Sequence, residues 1–242
     1  MKVDLSPAFI LHHRAYRETS LLLDVFSQQQ GRIKLVAKGI RQKKRSKQGQ
    51  FQLYQPLLLS WYGHGDLQSL TTSEVLAPRY ILKENASLCG LYINELLVRL
   101  LPINEPEQEV FEAYQLALSG LQEKQSSKKS EVILRLFEKR LLMQLGYGLV
   151  LDREADTDRE IEPEQRYVYR ADAGLFRWQQ GQNDATISGR SLQHLIDETD
   201  FDQQSLLEIK QLMRGVIHHF LDGKPLQSRQ LFAQLQQYAA KT

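Results

Sequence analysis

"SLLLDVFSQQQGRIKLVAKG", residues 20–39, decides the fold of the first part of this chain. Its two halves, SLLLDVF (20–26) and RIKLVAKG (32–39), are apolar or alternating runs of strand length on either side of a Gln-Gln-Gly turn. Working outward, AFILHH (8–13) precedes them and LYQPLLLSWY (53–62) and LQSLTTSEV (67–75) follow, bounded by Ser-Pro, a basic loop and Gly-His-Gly-Asp. Five short strands with no helix-length pattern between them predict a small barrel. The five-stranded oligonucleotide/oligosaccharide-binding (OB) barrel leads, with an SH3-like barrel as the alternative.

The loop after the third strand sets the chemistry. Arg32, Lys34, Lys38, Arg41, Lys43, Lys44, Arg45 and Lys47 fall within sixteen residues, and no carboxylate occurs between Asp24 and Asp66. Residues 1–80 carry 12 Lys and Arg against 5 Asp and Glu, a net +7, whereas the remainder carries 19 against 24, a net −5. A whole-chain charge of +2 hides this asymmetry. Basic runs are often only solvated surface. Here the positive potential is not cancelled locally, and Phe26, Phe51, Tyr54, Trp61 and Tyr62 are interleaved with it. Cations that track phosphates beside rings that stack bases are how single strands are held. Strand alternation does not say which rings are core, but Trp61 and Tyr62 must face opposite sides.

After Pro78 the period becomes helical. NASLCGLYINELLVRLL (85–101) carries a stripe of Ile93, Leu96, Leu97, Leu100 and Leu101, ended by Pro102. A second helix is expected over 107–119, then a polar connection at 123–129. Ser130 is placed to cap a third helix that stops at Gly146. DREADTDREIEPEQ (152–165), with seven carboxylates and two arginines, reads as an exposed loop, and RYVYRADAGLFRW (166–178) as a β-hairpin. Helices are expected near 189–197, across 203–221 and from Ser228 to about Tyr238. The domains implied are a barrel over 1–80 and a helical domain over 81–242.

Several chemistries are disfavoured. The Gly223-Lys224 pair is followed by Pro225, so it makes no phosphate-cradling loop. The histidine pairs His12-His13 and His218-His219 point adjacent rings to different faces, poor geometry for chelation. Cys89 is the single cysteine and is expected in the core, with no disulfide framework or thiolate cluster. No run approaches the roughly 18 apolar residues of a membrane span, and the start lacks a signal-peptide pattern, so a cytoplasmic protein is expected.

Four stretches in this order and spacing, YRETSLLLDVFSQQQGRIKLVAKGIRQKKRS (16–46), LYINELLVRLL (91–101), LRLFEKRLLMQLGYG (134–148) and GKPLQSRQLF (223–232), resemble the RecO family of bacterial recombination mediators. The resemblance implies an N-terminal OB domain and a helical C-terminal domain. It implies a non-enzymatic protein, nucleoid-associated, that binds single- and double-stranded DNA and anneals complementary strands. It further implies work with RecR, and with RecF, to load RecA onto DNA coated by single-stranded-DNA-binding protein. Residues 31–50 would then hold the DNA backbone. The acidic C-terminal tail of the coating protein would dock on the helical domain, where Arg135, Lys139 and Arg140 lie beside Leu136 and Phe137. Many relatives carry a four-cysteine zinc motif where this chain has GLVLDREADTDREIEPEQRYVYR, so no zinc or other cofactor is expected, and 150–178 should be a metal-free remnant.

Two other readings fit the residues alone. An OB barrel with a basic loop can bind RNA in translation or at the ribosome, because contacts to backbone do not distinguish the sugars well. A nuclease is disfavoured by the lack of a carboxylate cluster in the basic part.

Overall fold

A computed structural model describes residues 2–40, 49–123, 126–147, 149–181 and 184–239. Five strands, β1 (Lys2–Tyr16), β2 (Ser20–Ser27), β3 (Gly31–Ala37), β4 (Leu57–Tyr62) and β5 (Gln68–Val75), close into a barrel in the order β1-β2-β3-β5-β4. All neighbours are antiparallel except β3 and β5, which run parallel. This is the OB barrel that the strand pattern predicts. Alternate residues fill it: Ile10, Leu23, Val25, Ile33, Leu35, Leu57, Leu59 and Trp61 form one buried cluster.

Two strands differ in extent from their sequence runs. β1 reaches Tyr16, beyond the expected end at His13, because it stays paired with β2 through Tyr16–Ser20. β4 starts at Leu57 rather than Leu53, since Tyr54 adopts a left-handed φ of 65° and Pro56 offers no donor to a ladder.

Helices α1 (Asn85–Leu100) and α2 (Gln108–Gln122) cover part of the barrel's outer surface. Phe9 and Phe26 point outward and meet Phe111 and Tyr114 of α2 at centroid distances of 5.1–5.6 Å for three of the pairs. Asn94 of α1 donates to the Leu11 carbonyl at 2.9 Å and accepts from the Tyr114 hydroxyl at 2.8 Å, so one buried amide ties β1 to both helices. The segment after α1 lies along β3, with the Asn104 N–H on the Arg32 carbonyl at 2.8 Å. Gly31 admits this approach: it has φ 64°, and a Cβ there would fall on the Glu105 carbonyl oxygen. Cys89, expected in the core, is only partly buried.

The remaining elements are α3 (Ser127–Gln144), β6 (Arg166–Arg170), β7 (Gly174–Arg177), β8 (Ile187–Ser188), α4 (Gly189–Asp197), α5 (Gln203–Phe220) and α6 (Gln227–Ala239). The chain packs into two compact units, Met1–Lys124 with Leu226–Thr242, and Gln125–Pro225. The change from strand to helix near residue 80 is therefore not a boundary between compact units, since α1, α2 and α6 belong with the barrel. Glu95 of α1 secures α6: its carboxylate accepts from the Gln227 and Ser228 N–H groups, each at 2.8 Å, and from the Ser228 hydroxyl. A carboxylate at a helix N-terminus is favoured by the dipole and by the unpaired donors there.

In the second unit, α3 is capped by Ser126, whose hydroxyl accepts the Lys129 N–H, and not by the expected Ser130. The hairpin β6-β7 forms as predicted, with β8 on its other edge. The carboxylate-rich stretch before it is not simply an exposed loop. Arg153 and Glu160 bridge, the Ala155 N–H bonds the Leu175 carbonyl of β7 at 2.7 Å, and Glu154 is 3% exposed. Thr157 and Arg177 both bond the Glu154 carboxylate, which holds its pKa below the usual range against the opposing effect of burial.

Candidate nucleic-acid interface

β3 aims Arg32 and Lys34 outward because the alternate residues Ile33 and Leu35 occupy core positions. Register puts Lys34 opposite Asp24 and Arg32 opposite Phe26. Arg32, expected to meet phosphate, is engaged internally. One guanidinium nitrogen lies 3.2 Å from Asp24 Oδ1, the other donates to the Leu101 carbonyl at 3.3 Å, and the side chain is 13% exposed. Lys34 is half-buried and Lys38 exposed. Arg41, Lys43, Lys44, Arg45 and Lys47 lie outside the described residues.

The structure adds cations that the strand reading overlooked. Arg14 and Arg17 are exposed at the β1–β2 end, with the Arg17 guanidinium 5.3 Å from the centre of the Tyr16 ring. Pairing across the sheet runs Arg14–Leu22–Val36–Ser69–Tyr62, which places these residues in one outward row. The β2–β3 face, flanked by the β1–β2 and β4–β5 loops, is where OB barrels take oligonucleotides. The available signal was the strand alternation itself, which continues past His13 through Arg14 to Tyr16.

Two of the carboxylates near this face are paired with cations, Asp4 lying 3.1 Å from Lys2. Asp24 is matched by Arg32, and His12 Nδ1 stands 4.0 Å from its second oxygen. Burial first, and His12 next, push the His13 imidazole below its ordinary value, so it adds little charge at neutral pH. The interleaved aromatics divide cleanly. Phe26, Phe51, Tyr54 and Trp61 are 0–5% exposed, whereas Tyr62 is 51% exposed, on the opposite side from Trp61.

The second expected site, on α3, is turned inward. Arg135 is 5% exposed and lies 2.9 Å from Glu138, itself fully buried. Lys139 donates to the Leu195 and Ile196 carbonyls, each at 2.9 Å, and lies 3.2 Å from Glu198, so it serves the C-terminal end of α4. Arg140 lies 2.7 Å from Glu198 and keeps 39% side-chain exposure. Phe137 is 2% exposed and Leu136 half-buried. An apolar stripe flanked by cations reads the same in sequence whether it faces a partner or the rest of its own unit.

A closed zinc site does not fit residues 150–178. The stretch has no cysteine, and Glu154 is occupied by Thr157 and Arg177. Among the described residues no group of three or more His, Cys, Asp or Glu could hold a metal ion, and no helix is long and apolar enough to cross a membrane.

Comparison with known proteins covers nearly the whole chain. The family model for the N-terminal part of recombination protein O matches residues 1–79, and the model for its C-terminal part matches 85–230. The DNA repair protein RecO of Nitrosococcus oceani is 42% identical over 97% of this chain and 95% of its own length. That of Aromatoleum aromaticum is 41% identical over 98% of each. The Coxiella burnetii protein is 40% identical over 95% of this chain and 98% of its own.

Proposed function

The chain belongs to the RecO family, and from that premise we propose that it is a non-enzymatic DNA-binding protein of recombinational repair that anneals complementary strands. It acts with RecR, and with RecF, to load RecA onto DNA coated by single-stranded-DNA-binding protein, in the cytoplasm at the nucleoid. The observation that carries this reading is the basic outer face of the barrel and the basic run of sequence that continues from it, without a carboxylate between Asp24 and Asp66. Phosphates are met by Lys34, Lys38, Arg14 and Arg17, and by Arg41, Lys43, Lys44, Arg45 and Lys47 of the basic segment. Such contacts are independent of sequence and sensitive to salt. By neutralising phosphates, the protein lets two strands approach closely enough to pair.

For the coating protein's acidic tail, Arg140 is the contact supported best: it is paired with Glu198 but keeps 39% side-chain exposure, whereas the Arg135 and Lys139 side chains are 6% and 12% exposed. The test of the mediator role is fluorescence annealing of complementary strands precoated with the cognate single-stranded-DNA-binding protein. Acceleration is expected, and binding to DNA without acceleration would remove the annealing function. Replacement of Lys43, Lys44 and Arg45 by Ala should weaken binding to all sequences alike and flatten its salt dependence.

A further inference from the structure

We propose that Tyr62 is a base-stacking subsite that makes the barrel's outer face prefer unpaired over paired strands. The inference rests on the reading that this face binds DNA. Tyr62 ends β4 and points outward because Trp61 beside it fills the core at 1% exposure. Among the described aromatics of residues 2–80 it alone is more than half exposed, at 51%. Phe9 and Phe26, also outward, are covered by α2.

The neighbours of this ring suit a nucleic-acid strand. In register on one side is Lys2, whose side chain is 72% exposed and lies 3.1 Å from Asp4, itself 64% exposed. On the other side is Ser69, too small to cover a ring. The row continues through Val36 and Leu22, each 8% exposed, to Arg14, about 19 Å away at the usual spacing of paired strands. An accessible ring thus sits in a row with Arg14 at one end and Lys2, itself beside Asp4, at the other, with Asp24 already matched by Arg32.

Unpaired bases offer a face to such a ring, whereas bases inside a duplex have their faces covered by their neighbours. Duplex therefore meets only the cations. The difference gives the annealing step a direction: a strand held by stacking and phosphate contacts loses the stacking part as it pairs, so the product is held less tightly than the reactant.

The experiment compares three labelled oligomers of equal phosphate number by fluorescence anisotropy: oligothymidine, an abasic chain and a duplex. The intact protein should bind oligothymidine more tightly than the abasic chain by about 5- to 150-fold per stacked base. Tyr62→Ala should bring oligothymidine to the abasic level while leaving the abasic chain, the duplex and the thermal melting curve unchanged, and Tyr62→Phe should retain the preference. Equal affinity of the intact protein for oligothymidine and the abasic chain, or a Tyr62→Ala loss shared by all three oligomers or absent from all, overturns the proposal. An intact protein that binds none of them overturns the DNA reading itself.

Discussion

Arg32 of β3 reaches diagonally across to Asp24 of β2 at 3.2 Å, and the same guanidinium reaches the Leu101 carbonyl at 3.3 Å. This cation of the basic segment, its side chain 13% exposed, thus joins the barrel wall to the chain that leaves α1. Arg32→Ala is expected to destabilise the protein by about 1–3 kcal/mol and to leave the salt dependence of DNA binding nearly unchanged. Lys34→Ala and Lys38→Ala should do the reverse, each reducing the log–log salt slope by about 0.7–0.9. Titrations at several salt concentrations separate the two, and a slope lost with Arg32 would restore it as a phosphate contact.

Acid sensitivity should concentrate at Glu208. Burial pushes its carboxyl up, but the Ser188 N–H, the Ser191 hydroxyl, the Gln204 amide and the Ser188 hydroxyl together outweigh it and hold the pKa at about 2. The folded value is depressed, so this stabilisation is complete above the ordinary carboxylate value of roughly 4.3 and is lost as the pH falls towards 2. Glu208→Gln should lower stability at neutral pH by about 2 kcal/mol, since the new amide donors face existing donors. Urea unfolding followed from pH 7 to 3 should show a smaller pH dependence in the variant.

Arg135 and Glu138 form a pair whose side chains are 6% and 0% exposed. Removing one member of a buried pair costs about 3–5 kcal/mol, whereas replacing both with apolar residues of similar volume is often tolerated. Arg135→Ala should therefore lower the melting temperature sharply, and Arg135→Met with Glu138→Leu should recover most of the loss. A fully stable Arg135→Ala protein would place the arginine at the surface after all.

Gly31→Ala should be among the most damaging changes in the barrel. It forces a Cβ onto the Glu105 carbonyl oxygen and a left-handed φ of 64° on alanine. A loss of more than about 2 kcal/mol is expected, read as a lower midpoint in chemical unfolding. Gly39→Ala provides the comparison, since it shares a positive φ of 68° but a Cβ there meets nothing within 4 Å.

Much of the architecture was legible in the sequence because it depends on local periodicity. The runs at 20–26 and 32–39 became β2 and β3, the hairpin at 166–178 became β6 and β7, and helices were found where the stripes of 85–101 and 189–197 lie. Boundaries failed where several residues could act alike. Ser126 and Ser130 can each cap a helix, and only the path of the chain chose the first. At the candidate interface, the sequence supplied the cations of the basic segment but not Arg14 and Arg17, because a strand's end is set by the partner it pairs with.

The sequence by itself determined that the chain opens with a basic five-stranded barrel and continues as acidic helices, because alternation, helical stripes and charge are written residue by residue. Only the tertiary structure decided which of those residues are free to act. Trp61 and Tyr62 are adjacent aromatics, yet barrel closure buries one and exposes the other. Arg32 and Lys38 are cations of one segment, yet Asp24 and the Leu101 carbonyl engage the first while the second stays in solvent. Arg135 and Arg140 share a helix, yet Glu138 takes one into the interior and the other remains partly exposed beside Glu198. The physical reason is the same in each case: the partner that buries or neutralises a side chain is fixed by how the elements pack in space, and spacing along the chain does not specify it.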